Sequence, residues 1–233
     1  MMDPAPDLAS TIALDGPAAS GKSTVAKLLA DQIGYLYFDT GVMYRAVTWA
    51  VLTRTISVDD EPAVTALAKG LDIDVLSPTE EDGRQYTVLV DGKDATWAIR
   101  EAAVDASVSK VSAYPGVRSA MVLQQRRIAG RGCIVMVGRD IGTVVLPEAD
   151  LKVYLDASPE ERARRRWSEE QARGIDRELS DVLAEVRRRD RIDSTRKVAP
   201  LKPASDAIII DSTSLSIEDV VSKILDLAQA PRD

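Results

Sequence analysis

The chain has 233 residues, of which 45% are hydrophobic, enough for one substantial core or for a core that carries a small insert. Its formal net charge of −7 gives the whole molecule no electrostatic reason to bind nucleic acid or an anionic membrane. No apolar run approaches the roughly 18 residues of a membrane span, and the first ten residues lack the features of a signal peptide. The single cysteine, Cys133, cannot form an internal disulfide, and we expect a cytoplasmic protein.

Two amino acids are absent from the sequence. The absence of histidine excludes histidine-based acid–base catalysis, Ser-His triads and zinc sites that contain histidine. There is also no asparagine. The chemistry of this chain must therefore use carboxylates, lysine, arginine, hydroxyl groups and the backbone.

Apolar segments alternate with helical patterns along most of the chain. A buried strand is predicted at Thr11–Leu14, and a helix begins at Ser23 after a loop with two glycines. Further strands are predicted at 133–137, 151–155 and 207–210, with helices beginning near 159, 177 and 217. Near-continuous apolar strands separated by helices indicate an α/β fold with a parallel sheet covered on both faces.

The segment 57–112 has a different pattern. It contains two short alternating strands, at 71–75 and 86–90, with turn residues between and after them. We therefore expect a core formed by residues 10–56 and 113–231, a small antiparallel insert at 57–112, and a flexible tail at 1–9.

One loop carries the strongest chemical signal. Its eight residues, Gly16-Pro17-Ala18-Ala19-Ser20-Gly21-Lys22-Ser23, match the pattern G-x-x-x-x-G-K-[ST] in full. The glycines let the backbone N–H groups wrap around phosphate oxygens, and the following helix, whose second residue is Thr24, adds its positive end. Lys22 can reach the β- and γ-phosphates, and the Ser23 hydroxyl suits Mg²⁺. The loop predicts a Mg·nucleoside-triphosphate site but does not indicate what receives the phosphate.

Other classes of protein share this loop. GTPases usually recognise guanine through an Asn-Lys-x-Asp motif, and this chain has no asparagine. ATP-driven motors usually have an apolar strand that ends in a carboxylate, whereas the strand Ile134–Val137 is followed by Gly138-Arg139-Asp140. An arginine at this point suits a second phosphate better than a metal ion, and ligands of open α/β sheets bind at the carboxyl ends of strands.

Several further segments have the form of motifs. They are Asp39-Thr40-Gly41-Val42-Met43-Tyr44-Arg45, Gly138-Arg139-Asp140-Ile141-Gly142-Thr143-Val144-Val145, and the C-terminal Arg189-Asp190-x-x-Asp193-x-x-Arg196, Ala199-Pro200-Leu201 and Asp211-Ser212-Thr213. Together these segments resemble the bacterial cytidylate kinases. The match runs in order from about 12 to 227. The resemblance implies a P-loop nucleotide kinase whose insert binds the nucleoside monophosphate and whose short helical lid, at about 158–180, closes over ATP.

The resemblance assigns roles to residues that carry little signal alone. It implies that Arg45 and Arg139 bind the CMP phosphate, although Arg45 could equally be a solvated helix residue or part of an ion pair. Ser109, Arg118 and Asp140 are implied to contact cytosine, and Thr40 to bind CMP as well. Without the resemblance, Ser109 would be a small helical residue and Arg118 a surface charge.

The charged segment from Glu160 to Lys197 holds twelve basic and ten acidic residues. Arg189, Asp193 and Arg196 would share one helical face, which is most often a surface ion-pair ladder. The resemblance instead implies that Asp193 and Arg189 bind the ribose and that Arg196 binds the transferred phosphates. Arg165, whose face also carries Arg162 and Arg166, is expected to contact ATP.

These observations predict the reaction ATP + CMP to ADP + CDP, with dCMP as a second substrate, in pyrimidine nucleotide metabolism. Lys22, Arg139, Arg189 and Arg196 are the predicted catalytic residues, with Mg²⁺ entering together with ATP. We expect a monomer that binds neither nucleic acid nor membrane. A broader UMP/CMP, adenylate or other small-molecule kinase is the nearest alternative, and a nucleotide-hydrolysing regulatory switch is a more distant one.

Overall fold

A computed structural model describes residues 8–195 and 198–230. In that part of the chain the strands are β1 (Thr11–Asp15), β2 (Leu36–Asp39), β3 (Ile73–Leu76), β4 (Thr87–Val90), β5 (Lys93–Asp94), β6 (Ile134–Val137), β7 (Leu151–Asp156) and β8 (Ile208–Asp211). The larger sheet has five strands in the order β2-β6-β1-β7-β8, and the smaller has three in the order β3-β4-β5. The predicted fold class, an α/β protein with a parallel sheet and a small antiparallel one, is confirmed.

The helices are α1 (Lys22–Ile33), α2 (Gly41–Thr53), α3 (Glu61–Gly70), α4 (Ala102–Val111), α5 (Pro115–Ala129), α6 (Pro159–Ala172), α7 (Leu179–Thr195) and α8 (Ile217–Gln229). Their first turns carry ordinary start signals. Proline stands in the first turn of α3, α5 and α6, where a missing N–H group costs nothing. A capping box formed by Ser216 and Asp219 begins α8. None of the described helices is long and apolar enough to cross a membrane.

The chain divides into two compact units, and the first spans Leu36–Ile134. In this unit β3 and β4 are antiparallel, with Ile73 opposite Val90, and β5 extends the sheet. Its core is formed by fully buried side chains that include Met43, Ile99 and Met121. The predicted insert, 57–112, lies within this unit.

The second unit contains the described residues of 2–35 and 135–233. Here β1 pairs with β7, and β7 pairs with β8, in parallel. The inner strands β1 and β6 are apolar and buried along nearly their whole length, which is the pattern of a parallel sheet covered on both faces. Of the predicted tail only residues 8 and 9 are described, and the Ala9 N–H donates to the Ala228 carbonyl at 3.0 Å.

Candidate active site

The phosphate-binding loop follows β1 at the carboxyl edge of the sheet. Gly16 has φ of +147°, and a Cβ atom there would lie 2.1 Å from the Leu155 carbonyl oxygen, so no larger residue fits. Ala19 and Gly21 also have positive φ, of 60° and 90°. These left-handed residues curl the loop back on itself, and α1 begins immediately afterwards at Lys22. The local geometry is that of a backbone phosphate cradle at a helix N-terminus.

Lys22 is folded onto the same loop. Its side chain is buried, with 4% of the residue exposed, and its ammonium group donates to the Pro17 carbonyl and, at 3.2 Å, to Ser20 Oγ. Ser23 and Thr24 are exposed on the first turn of α1. The loop therefore places one ammonium group and two hydroxyl groups where a polyphosphate would bind.

Arg165 connects the loop to the segment that follows β8. Its guanidinium donates to the Ser212 carbonyl at 2.6 Å, to Ser212 Oγ at 3.2 Å and to the Ser20 carbonyl at 3.4 Å. The Ser212 hydroxyl also donates towards the Ser20 and Asp156 carbonyls. The structure thus places the residue predicted to contact ATP directly against the phosphate-binding loop.

Arg162 forms a second, buried connection. Its guanidinium makes a two-pronged ion pair with Asp190 of α7, at 2.9 and 2.6 Å. It also donates to the Ala157 carbonyl at 2.9 Å and to the Ala18 carbonyl of the loop at 3.2 Å. One arginine therefore joins α6, α7 and the phosphate-binding loop.

Arg139 and Asp193, both predicted site residues, form an ion pair with a distance of 3.1 Å between Nε and Oδ2. Arg189 lies one turn before Asp193 on α7 and is exposed to solvent. Desolvation of its guanidinium and repulsion by Arg139 nonetheless lower the pKa of Arg189. Such a crowded positive group would be stabilised by an anion. Arg196, the remaining predicted arginine, lies outside the described residues.

Asp140 is buried beside a second carboxylate, Asp15. Burial raises the pKa of Asp15 to about 6, hydrogen bonds from the Gly142 and Ile141 N–H groups lower it, and the nearby Asp140 charge raises it. The positive charge of Lys22 lowers the pKa of Asp15. The charges of Lys22 and Asp140 therefore both act on the Asp15 carboxylate, in opposite directions.

The other predicted CMP residues lie in the first unit. Arg45 of α2 donates to the Ile99 carbonyl at 3.2 Å and pairs with Asp105 of α4 at 2.5 Å. Ser109 is four residues after Asp105 on α4, so the two share a helical face. This arrangement places Ser109 on the side of α4 that Arg45 contacts.

Arg118 of α5 is not the surface charge that its sequence context alone would suggest. It is only 8% exposed, and its guanidinium carbon lies 5.6 Å from the centre of the Tyr44 ring. Tyr44 directly precedes Arg45, and α2, which carries both residues, begins after Thr40, which is 6% exposed. Thr40, Arg45, Ser109 and Arg118 thus lie on or against a single helix, α2.

Four residues that contact the predicted site residues or the phosphate-binding loop had no role predicted from the sequence. They are Asp15, Asp105, Arg162 and Asp190. Asp190 stands within the C-terminal motif, and Arg162 shares a predicted helical face with Arg165, so the sequence carried some indication of a role for both. For Asp15 the only indication was its position directly before the loop. For Asp105 there was no indication.

Comparison with known proteins shows the family to which this chain belongs. A family model described as Cytidylate kinase matches residues 12–230. The chain belongs to the cytidylate kinase family. A cytidylate kinase of Chloroflexus aggregans is 53% identical over 215 residues, which are 92% of each chain. One from a Geobacillus species is 52% identical over 216 residues, covering 93% of this chain and 95% of the relative.

A structural comparison supports the fold independently of the sequence. An uncharacterized protein from Eubacterium ventriosum superimposes with a TM-score of 0.54 at 11% identity, covering 95% of this chain and 99% of its own. At this identity the likeness concerns the fold alone. The cytidylate kinase family assignment therefore rests on the sequence matches.

Proposed function

We propose that this protein transfers the γ-phosphoryl group of ATP to CMP, giving ADP and CDP. The observation that carries the proposal is the family match across residues 12–230, which includes a complete phosphate-binding loop. Chance similarity to the loop alone would not extend over the whole folded chain.

The reaction needs no histidine. A nucleoside monophosphate has a second phosphate pKa near 6, so the acceptor is already largely dianionic at pH 7. The protein must bring this anion in line with the γ-phosphate and neutralise the charge that both groups carry. Arginine and lysine side chains with backbone N–H groups suffice for that, and these are the groups among the predicted site residues.

The proposed transfer residues are Lys22, Arg139, Arg189 and Arg196. Lys22 would exchange its bonds to the loop for the β- and γ-phosphate oxygens. Arg139 and Arg189 would neutralise the acceptor and transferred phosphates, and the lowered pKa of Arg189 is relieved when an anion binds. Backbone N–H groups of the loop, Gly16 to Thr24, would hold the ATP phosphates, and Arg165 would contact ATP beside Ser20.

The proposed CMP residues have complementary chemistry. A guanidinium binds phosphate oxygens in a two-pronged manner, which suits Arg45 and Arg139. A carboxylate accepts from the cytosine amine, which suits Asp140, while Arg118 and Ser109 can donate to the ring acceptors. Thr40 adds a hydroxyl, and Asp193 can accept from ribose hydroxyls.

Mg²⁺ fits the residues that are present. No cluster of three or more acidic, cysteine or histidine side chains that could hold a metal was found among the described residues. A magnesium ion that arrives with ATP needs only one or two protein ligands, because phosphates and water supply the rest. Ser23, exposed at the start of α1, is the proposed ligand. When bound, the ion would neutralise part of the negative charge of the ATP phosphates.

Further parts of the proposal concern organisation and range. We propose that the segment 57–112 binds the monophosphate, that 158–180 acts as a lid which excludes water, and that dCMP is a second substrate. The arginine-rich helix α6 and the contact of Arg165 with the loop support the lid. We also propose a monomer that works in the cytoplasm, in keeping with its single cysteine.

An acceptor panel tests the proposal. Purified protein is supplied with Mg·ATP and with CMP, dCMP, UMP, AMP or GMP in separate reactions, and ADP release is measured. We expect rapid turnover with CMP and dCMP, and a large loss in Arg139→Ala but not in the control Arg187→Ala, whose side chain is 60% exposed. Equal turnover with every acceptor would favour a broad small-molecule kinase, and ADP release without any acceptor would favour a hydrolysing switch.

A further inference from the structure

Asp15 of the second unit is a buried carboxylate that accepts two backbone hydrogen bonds. It ends β1, directly before the phosphate-binding loop, and is 4% exposed. Its Oδ1 accepts the N–H of Ile141 at 2.8 Å, and its Oδ2 accepts the N–H of Gly142 at 2.7 Å. Both oxygens are therefore used by the backbone of one distant turn. A carboxylate with this arrangement serves to hold that turn rather than to bind a ligand.

The turn that Asp15 holds begins immediately after Arg139 and Asp140. It is a single π-helical turn, Ile141–Val145, and such turns are frequent at functional sites. Asp140 directly precedes it, with φ of −149° and ψ of 27°. Because only one peptide bond separates Asp140 from the first N–H that Asp15 accepts, a shift of the turn moves the Asp140 side chain directly.

The fit around the turn is close. A Cβ atom on Gly142 would lie 3.4 Å from Asp15 Oδ2 and 3.3 Å from the Lys152 side chain. Glycine lets the backbone approach the carboxylate closely enough for two short hydrogen bonds. The chain directly before Arg139 is also anchored to β1, since the Gly138 N–H donates to the Leu14 carbonyl at 3.2 Å.

We propose that Asp15 is a positioning residue that orients Arg139 and Asp140 towards CMP through the Ile141–Val145 turn. This inference rests on the proposed roles of Arg139 and Asp140 in CMP binding. The conformation of the phosphate-binding loop has a separate cause, the packing of Gly16 against Leu155 and the left-handed residues Ala19 and Gly21. The two backbone hydrogen bonds of the Asp15 side chain therefore hold the turn beside the proposed CMP residues rather than the phosphate-binding loop.

The variant Asp15→Asn tests this assignment. One carboxylate oxygen becomes an NH₂ group that faces an N–H donor, so one of the two bonds is replaced by a repulsive contact. We expect the KM for CMP to rise about tenfold or more, a size typical of losing a group that orients a binding residue. The KM for ATP should change much less. Discrimination of CMP against UMP should also fall, because Asp140 is the proposed partner of the cytosine amine.

A matched control lies at the other end of the same strand. Asp150 accepts the N–H and the hydroxyl of Thr11 at 2.8 and 3.0 Å, so it also anchors β1 through two hydrogen bonds to one residue. Both bonds end on Oδ2, so alanine rather than asparagine is needed to remove them, and Asp150→Ala should lower the melting temperature without changing the ratio of the two KM values. A purely structural role for Asp15 would make the two variants behave alike.

A second variant removes the dependence on how well Asp15→Asn folds. Gly142→Ala perturbs the same contact from the turn side and alters no charge. We expect it to reproduce the selective rise in the KM for CMP. The proposal is overturned if both variants match Asp150→Ala, or if their KM for ATP rises as much as that for CMP. Wild-type protein that forms no CDP would instead overturn the proposed function, and the inference with it.

Discussion

Several ion pairs join the helices α6 and α7, and two of them differ strongly in burial, which gives a quantitative prediction. The Arg162 side chain is 3% exposed and pairs with Asp190, which is 27% exposed. In the pair between Arg187 and Glu160, at 2.7 Å, both side chains are 60% exposed. Each pair connects one residue of α6 with one of α7.

Asp190→Ala leaves the Arg162 guanidinium buried with its two-pronged acceptor missing. Removing one partner of a buried ion pair typically costs about 3–5 kcal/mol, and partial exposure of Asp190 puts our expectation at the lower end, about 3 kcal/mol. Glu160→Ala removes the carboxylate of the exposed pair, where solvent already screens the charges. We expect this variant to have the same stability as the wild type within experimental error.

Urea unfolding measures the change in stability of both variants. Trp167 packs against the buried side chains of Ala163, Val182 and Val186, so its fluorescence is one probe of unfolding. The two variants are compared under identical conditions at pH 7. Asp190→Ala should also raise the KM for ATP, because Arg162 donates to the Ala18 carbonyl of the loop. Equal destabilisation by the two variants, or an Asp190→Ala protein as stable as the wild type, would show that burial does not decide the strength of these ion pairs.

Three further predictions follow from the described contacts. Lys22→Met should lower kcat by about 10²–10³, as expected when one preorganised donor to the transition state is lost, while circular dichroism shows an unchanged fold. Gly16→Ala should prevent folding or ATP binding, because its Cβ would lie 2.1 Å from a carbonyl oxygen, whereas Gly83→Ala, with nothing within 4 Å, should fold; nucleotide titration of the purified variants checks both. The pKa of Asp15 is raised from 3.8 to about 6, so the folded state binds this proton more tightly than the unfolded state does. The stabilisation that comes from protonating Asp15 should therefore be fully present below pH 4 and lost as the pH rises through 6, and this loss amounts to at most about 3 kcal/mol. Urea unfolding of wild type and Asp15→Asn at pH 4 and pH 7 measures this loss, and an identical pH dependence in the two proteins would contradict a raised pKa of Asp15.

The fold was largely predictable because its signals are local. The strand at 11–14, the glycines of the loop and the helix that follows can be recognised from neighbouring residues, and the structure places β1 at Thr11–Asp15 and α1 at Lys22–Ile33. No strand was predicted at Leu36–Asp39, which is β2. Four residues are too few to show a period that distinguishes a strand from a loop.

The supporting contacts of the site were not predictable, because they depend on tertiary packing. Asp15 and Ile141 are 126 positions apart, and nothing near Asp15 in sequence indicates where its carboxylate points. Arg162 stands among other arginines that have the appearance of a solvated face, but α7 covers it. Arg118 similarly is buried against Tyr44. In each case the residue type was visible, while its burial was decided by a distant segment.

Transfer of a labelled γ-phosphate tests the central claim most directly. ATP that carries ³²P in its γ-position is incubated with the protein, Mg²⁺ and CMP, and the products are separated by chromatography. We expect the label to appear in CDP, in an amount equal to the ADP formed, and little inorganic phosphate to be released without CMP. Label that appears only in inorganic phosphate, whether or not CMP is present, would contradict transfer to CMP.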